Sequence, residues 1–202
     1  MSLVPAFEIG VWNAWILQVL SFLILSAPNI FMSKEEKERV NRGSESAPLN
    51  NLSRTQKWLA LSTHIVIMPL VFIYSIFLPL ELGTAWLYVG LPIIALALAM
   101  SLIATYNFAA TLITEPVTRG IYRISRHPFY LSGFLLYAGT GIACASWVLL
   151  LGAVLWIVFW KIAVPGEERF LLEKYGGAYR EYMNRTPRWI GIPKANVVKS
   201  RG

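Results

Sequence analysis

His127-PFYLSGFLLYAGTGIACASWVLLLGAVLWIVF-Trp160 runs without a single Lys, Arg, Asp or Glu. A membrane-crossing helix needs about 20 mostly apolar residues. This stretch is therefore too long for one span and slightly short for two full ones. It predicts a tight helical hairpin turning near Cys144–Trp147, its two spans short or tilted. Residues 9–33, 58–80 and 82–114 are likewise free of charge. Each supplies one further span, near 9–31, 58–79 and 86–108. The composition agrees: 56% of the 202 residues are hydrophobic and 14% are charged, against about 25% charged in an ordinary soluble domain. The expected fold is all-α, a polytopic membrane protein of about five transmembrane helices, the last two forming the hairpin.

The basic residues set an orientation. All 18 Lys and Arg fall within Lys34–Lys57, Arg119–Arg126 and Lys161–Arg201. The loops around Glu81–Thr84 and Cys144–Ser146 have none. The positive-inside rule places the basic segments in the cytoplasm, which predicts the N-terminus outside and the C-terminus inside. No basic residue precedes the first apolar run, so a retained span is expected there rather than a signal peptide. Residues 32–57 read as a polar cytoplasmic loop whose mixed charges form a solvated face or a short surface helix. The chain divides into a three-span region, 1–113, and a region 114–202 where the chemistry-bearing motifs lie.

Several chemistries are excluded by residue type. One cysteine, Cys144, permits no internal disulfide, and two histidines, His64 and His127, leave little for a metal centre. There is no G-x-G-x-x-G after a strand, no Walker loop, no H-E-x-x-H and no G-x-S-x-G. Gly139-Thr140-Gly141 lies inside an apolar span and fits close helix packing. A net charge of +7 on so apolar a chain points to a lipid bilayer as partner, not nucleic acid.

Two segments stand out on the cytoplasmic side. Arg126-His127-Pro128 opens the fourth span, and a helix N-terminus flanked by Arg and His is a cradle for a carboxylate or phosphate; anchoring to anionic headgroups is the other reading. Pro165-Gly166-Glu167-Glu168 follows the fifth span. It reads as a helix start with acids in the first turn, and as carboxylates awaiting a cationic group or hydroxyls. A helix along the membrane surface is expected after it. Phe170, Leu171, Tyr175, Ala178, Tyr179, Tyr182 and Met183 make one apolar-aromatic face, weakened at Gly176-Gly177. Trp189 is expected as an interfacial anchor.

Gly120-x-Tyr122, Arg126-His127-Pro128-x-Tyr130, Glu167-Glu168, Tyr175-Gly176-x-x-Tyr179-x-x-Tyr182 and Pro187-Arg188 resemble, as an ordered set over about residues 114–193, the integral-membrane methyltransferases. The likeness is to the isoprenylcysteine carboxyl methyltransferase group and, more distantly, to phospholipid N-methyltransferases. The resemblance implies S-adenosyl-L-methionine as cofactor, no metal, and a lipophilic methyl acceptor. It implies a cofactor site of Thr114, Glu115, Pro116, Val117, Tyr122, His127, Pro128, Phe129, Tyr130 and Glu167, with no catalytic residue beyond positioning and desolvation. The rings of Tyr122, Tyr130 and Tyr179 suit a sulfonium cation. The family often has His-x-Leu-Val where this chain has Thr114-Glu115-Pro116-Val117, and only Val117 fits. The family's substrate-side Arg falls on Ala163, with Lys161 the nearest base, so the substrate-binding residues stay open. A resembling rival is an NADPH-dependent membrane sterol or enone reductase, which the paired carboxylates oppose; a non-catalytic transporter or scaffold is the other. The membrane would be the plasma membrane in a prokaryote and the endoplasmic reticulum in a eukaryote.

Overall fold

The computed structural model describes residues 10–45, 58 and 68–193. Among them the chain is helical, and its one extended pairing is an isolated bridge between Asn13 and Pro79. The helices are α1 (Trp15–Ser26), α2 (Pro28–Phe31), α3 (Lys34–Glu45), α4 (Met68–Ile76), α5 (Ala85–Ala109), α6 (Pro128–Ala143), α7 (Trp147–Tyr175) and α8 (Gly177–Arg185), with a 3-10 turn at Gly120–Arg123. The second expected span is described only over α4, and His64 lies outside the described residues.

Among the described residues, α5 and α7 are long and apolar enough to cross a membrane. The 25 residues of α5 reach about 37 Å at 1.5 Å each, more than the ~30 Å of hydrocarbon. These are not the buried core helices of a soluble globule. Leu96 on α5 is 54% exposed and Leu151 on α7 is 59% exposed, amid many exposed apolar neighbours. A water-facing surface rarely carries so much contiguous apolar area.

The hairpin turns where the uncharged stretch predicts. α6 ends at Ala143 and α7 begins at Trp147. The Ser146 N–H donates to the Gly141 carbonyl at 2.8 Å and the Ala145 N–H to that of Ile142 at 2.9 Å. Those two bonds, with Ala145 at φ +47°, make a Schellman stop. The Ser146 hydroxyl then caps α7 by accepting from the Leu149 N–H. Helices α5 and α6 pack closely because glycine allows it. A Cβ on Gly90 would meet the Ala143 nitrogen at 2.5 Å, and one on Gly139 would meet an Ile94 side-chain carbon at 2.9 Å.

One expectation is corrected. Pro165 does not start a helix; α7 runs through it for 29 residues, so Glu167 and Glu168 are not first-turn acids. A helix between neighbours tolerates the missing N–H of an internal proline. The break comes instead at Gly176, where φ is +56°, and α8 starts there. Within residues 32–57 the charge run of Lys34–Glu45 does form a short helix. The Ser33 hydroxyl accepts from the Glu36 N–H at 3.2 Å while the Glu36 carboxylate accepts from the Ser33 N–H at 2.8 Å, a reciprocal capping box that launches α3. Trp189, expected as an interfacial anchor, is half-buried. It packs on the cluster of Trp160, Ala163 and Val164, its ring 6.2 Å from that of His127.

Candidate active site

The apolar part of α7 is uncharged to Trp160; past it come Lys161, Glu167, Glu168 and Arg169, so the acid pair lies beyond the membrane-compatible segment. There a cavity of about 300 Å³ opens between α3, α5, α6, α7 and α8.

Gly120 builds one side. Its φ of +59° suits glycine, and a Cβ there would sit 2.3 Å from the Asn107 side-chain oxygen. That oxygen accepts from the Ile121 N–H at 3.1 Å, tying the 3-10 turn to α5. Tyr122, in this turn, is buried and meets Phe108 edge to face at 5.6 Å. The Tyr182 hydroxyl donates to the Tyr122 carbonyl at 2.7 Å, bringing in α8.

The first turn of α6 builds the polar side. Glu168 is buried under a guanidinium fork: the Arg188 Nε–H donates to its Oε1 at 3.1 Å and an Arg188 Nη–H to its Oε2. Arg126 Nη2 lies 3.0 Å and His127 Nε2 3.2 Å from Oε1. Burial by itself would raise the Glu168 carboxyl. The hydrogen bonds from His127 and Arg188, with the Arg126 charge, overcome it and bring the carboxyl from 4.5 down to about 2. Glu167 turns the other way. The Tyr130 hydroxyl donates to its Oε2 at 2.8 Å, with His127 Nδ1 at 3.5 Å. Burial raises the Glu167 carboxyl, and neighbouring His127 and Tyr130 offset this only in part. Burial also raises the Tyr179 and Tyr182 hydroxyls, helped by Glu168, so both stay neutral rings. Tyr130 stacks on Trp160 at 3.7 Å and on His127 at 5.5 Å.

The sequence-designated residues fall as follows. Pro116, Val117 and Tyr122 line the cavity; so do His127, Pro128, Phe129 and Tyr130 at the mouth of α6, and Glu167 on α7. Thr114 and Glu115 are exposed and do not line it. Ala163 is buried under Trp160 and Val164, and Lys161 is exposed; neither lines the cavity. Arg126 and His127 do not hold an open anion cradle, because the chain's own Glu168 occupies their donors. Arg126 lines the cavity, and its buried Nε is without a hydrogen-bond partner among the described residues.

The residues of α8 and the end of α7 that join them, Leu171, Tyr175, Tyr179 and Tyr182, belong to the aromatic stripe already visible in the sequence. Val40 and Phe108 also line the cavity; no pattern marks them, since one sits alone in a charged helix and the other ends an apolar span. Among the described residues, no group of His, Cys, Asp and Glu is placed to hold a metal ion.

Over the described residues the chain is all-helical, with two helices long and apolar enough to cross a membrane and a polar-rimmed aromatic cavity at one end of them. Residues 82–178 match the phospholipid methyltransferase family. The chain is 37% identical over 83 residues to protein-S-isoprenylcysteine O-methyltransferase B of Arabidopsis thaliana, covering 40% of each chain. It is 37% identical over 79 residues to the Schizosaccharomyces pombe protein-S-isoprenylcysteine O-methyltransferase, covering 38% of this chain and 32% of that one. Over part of its length the chain is thus similar to isoprenylcysteine O-methyltransferases, and it spans 40% or less of the length of these two relatives.

Proposed function

We propose that the protein is an S-adenosylmethionine-dependent methyltransferase acting on a lipophilic acceptor, of isoprenylcysteine-carboxylate type or another membrane-dissolved kind, at the cytoplasmic face of a membrane it crosses with about five spans. The observation that carries the reading is the single cavity in which Tyr122, the His127–Tyr130 corner and Glu167 meet. The donor set fits the cofactor. Neutral aromatic rings suit a sulfonium, the Glu167 carboxylate suits an amino group or ribose hydroxyls, and the orphaned Nε of Arg126 suits an acceptor oxygen. When bound, this cofactor supplies an electrophilic methyl group.

The chain's own work is positioning and desolvation. Tyr130 and His127 hold the Glu167 carboxylate in place. The Glu168–Arg188–Arg126 knot ties the α6 corner, α7 and the C-terminal segment together, with the Arg126 N–H donating to the Pro187 carbonyl at 3.1 Å. The acceptor's reactive group stays unassigned to a basic partner, because Ala163 offers none and Lys161 points elsewhere than the cavity lining.

The test is calorimetry on detergent-purified protein with S-adenosylhomocysteine and, separately, NADPH. Saturable binding of the first alone is expected. Glu167→Ala should weaken it about tenfold, as for a lost charge-assisted hydrogen bond, while exposed Glu173→Ala leaves it unchanged. Binding of NADPH alone overturns the reading in favour of a reductase, and equal effects of the two substitutions remove Glu167 from its role.

A further inference from the structure

Helix α3 lies outside residues 82–178, the stretch that matches the methyltransferase family, yet it reaches the cavity. Its sequence, KEEKERVNRGSE, contains one apolar side chain, Val40, and Val40 lines the cavity. A helix with so little apolar surface has no stripe to insert into a bilayer or bury in a core. What holds it is polar. Arg39 Nη1 donates to the Ala109 carbonyl at 3.3 Å, capping an open carbonyl at the C-terminal end of α5, where a cation is favoured. Arg39 is itself steadied by Glu35, one turn earlier, at 3.3 Å. The tether brings the next residue, Val40, to the end of α5 that carries Phe108, a second lining residue.

We infer that α3 is a wall of the donor cavity and that Val40 is a ligand-contacting, specificity-determining residue. This rests on the methyltransferase reading above. The charged and imidazole groups of the cavity come from Arg126, His127 and Glu167, and its hydroxyls from tyrosines of the 3-10 turn, α6, α7 and α8. Val40 offers no hydrogen bond and is stiff at χ1, so it takes a nonpolar or ring portion of the ligand rather than its charged end. Helix α3 thereby supplies from outside the matched stretch what that stretch lacks on this side.

The experiment measures S-adenosylhomocysteine affinity by calorimetry for the full chain and for V40W, V40A and E38W, with the unfolding midpoint of each ligand-free protein. V40W fills the cavity and should lose affinity about tenfold or more, since bulk in a pocket of this size displaces ligand. V40A removes contact only and should lose about threefold. E38W puts the same bulk on the exposed face of the helix and should bind like the parent. Parent-like affinity in both Val40 variants overturns the inference while leaving the methyltransferase reading intact. Absence of binding by the parent overturns the reading itself. Should V40W lower the ligand-free midpoint, V40A decides: weakened binding at an unchanged midpoint supports the contact, and unchanged binding overturns it.

Discussion

At the scale of single residues, two adjacent carboxylates do different work. Glu168 is 3% exposed and answers Arg126, Arg188 and His127; Glu167 faces the cavity. A buried ion cluster contributes little against an apolar replacement, but removing one partner strands the others. Glu168→Gln should therefore destabilise the protein by about 2–3 kcal/mol, below the roughly 3–5 kcal/mol of a fully buried pair because Arg188 is partly solvated. Denaturant unfolding in detergent measures it. The same carboxylate makes stability depend on pH. Its folded pKa is depressed, from 4.5 to about 2, so its contribution is full above pH 4.5 and drains away as pH falls toward 2. Glu167 is raised in the fold and works in the opposite sense. Loss of the acid-side decline in Glu168→Gln relative to the parent is the expected signature; an unchanged profile would remove Glu168 from the knot. Adjacency in sequence signalled the pair but not the division. The division depends on Arg188, twenty positions on, and on α7 continuing through Pro165.

At the scale of elements, two positions with positive φ should respond in opposite directions. Ala145 stops α6 in the left-handed region, where a Cβ costs roughly 1 kcal/mol. Ala145→Gly should raise stability by roughly 0.5 kcal/mol after the added chain entropy. Gly120 occupies the same region against Asn107. Gly120→Ala should cost about 2 kcal/mol from strain and the forced shift of the Asn107 amide, and should weaken ligand binding by displacing Tyr122. Thermal unfolding and calorimetry read both. Element ends were legible wherever local chemistry decides them. Charge-free length places the hairpin turn near Cys144–Trp147, where it falls, and the span expected over 86–108 is one residue short at each end of α5. Elements decided by tertiary support were not. Pro165 is carried by the packing of α7, and the seating of α3 against the end of α5 depends on the Arg39–Ala109 bond.

At the scale of the whole molecule, the charges and the cavity bear on one question, which end of the helices faces the cytoplasm. The cavity lies at the end of α5 marked by Phe108 and at the start of α6, the side where Arg119, Arg123 and Arg126 cluster. The opposite end carries Glu81 and the Cys144–Ser146 turn, with no basic residue. A bilayer with a negative inner surface favours the first end inside. A cofactor made in the cytoplasm would then reach the cavity without crossing lipid, while an acceptor dissolved in the bilayer would approach between helices. Cys144 is the single thiol, so its replacement by Ala leaves a clean background for new ones. Glu81→Cys, Glu38→Cys and Glu173→Cys, made singly, place thiols at exposed positions on the two sides. In sealed, right-side-out vesicles a membrane-impermeant maleimide should label Glu81→Cys at once, and the other two only after permeabilisation. Immediate labelling of Glu38→Cys or Glu173→Cys would put the cavity on the outer face. It would then separate the cavity from the proposed cytoplasmic cofactor and overturn the orientation, whatever the ligand measurements show.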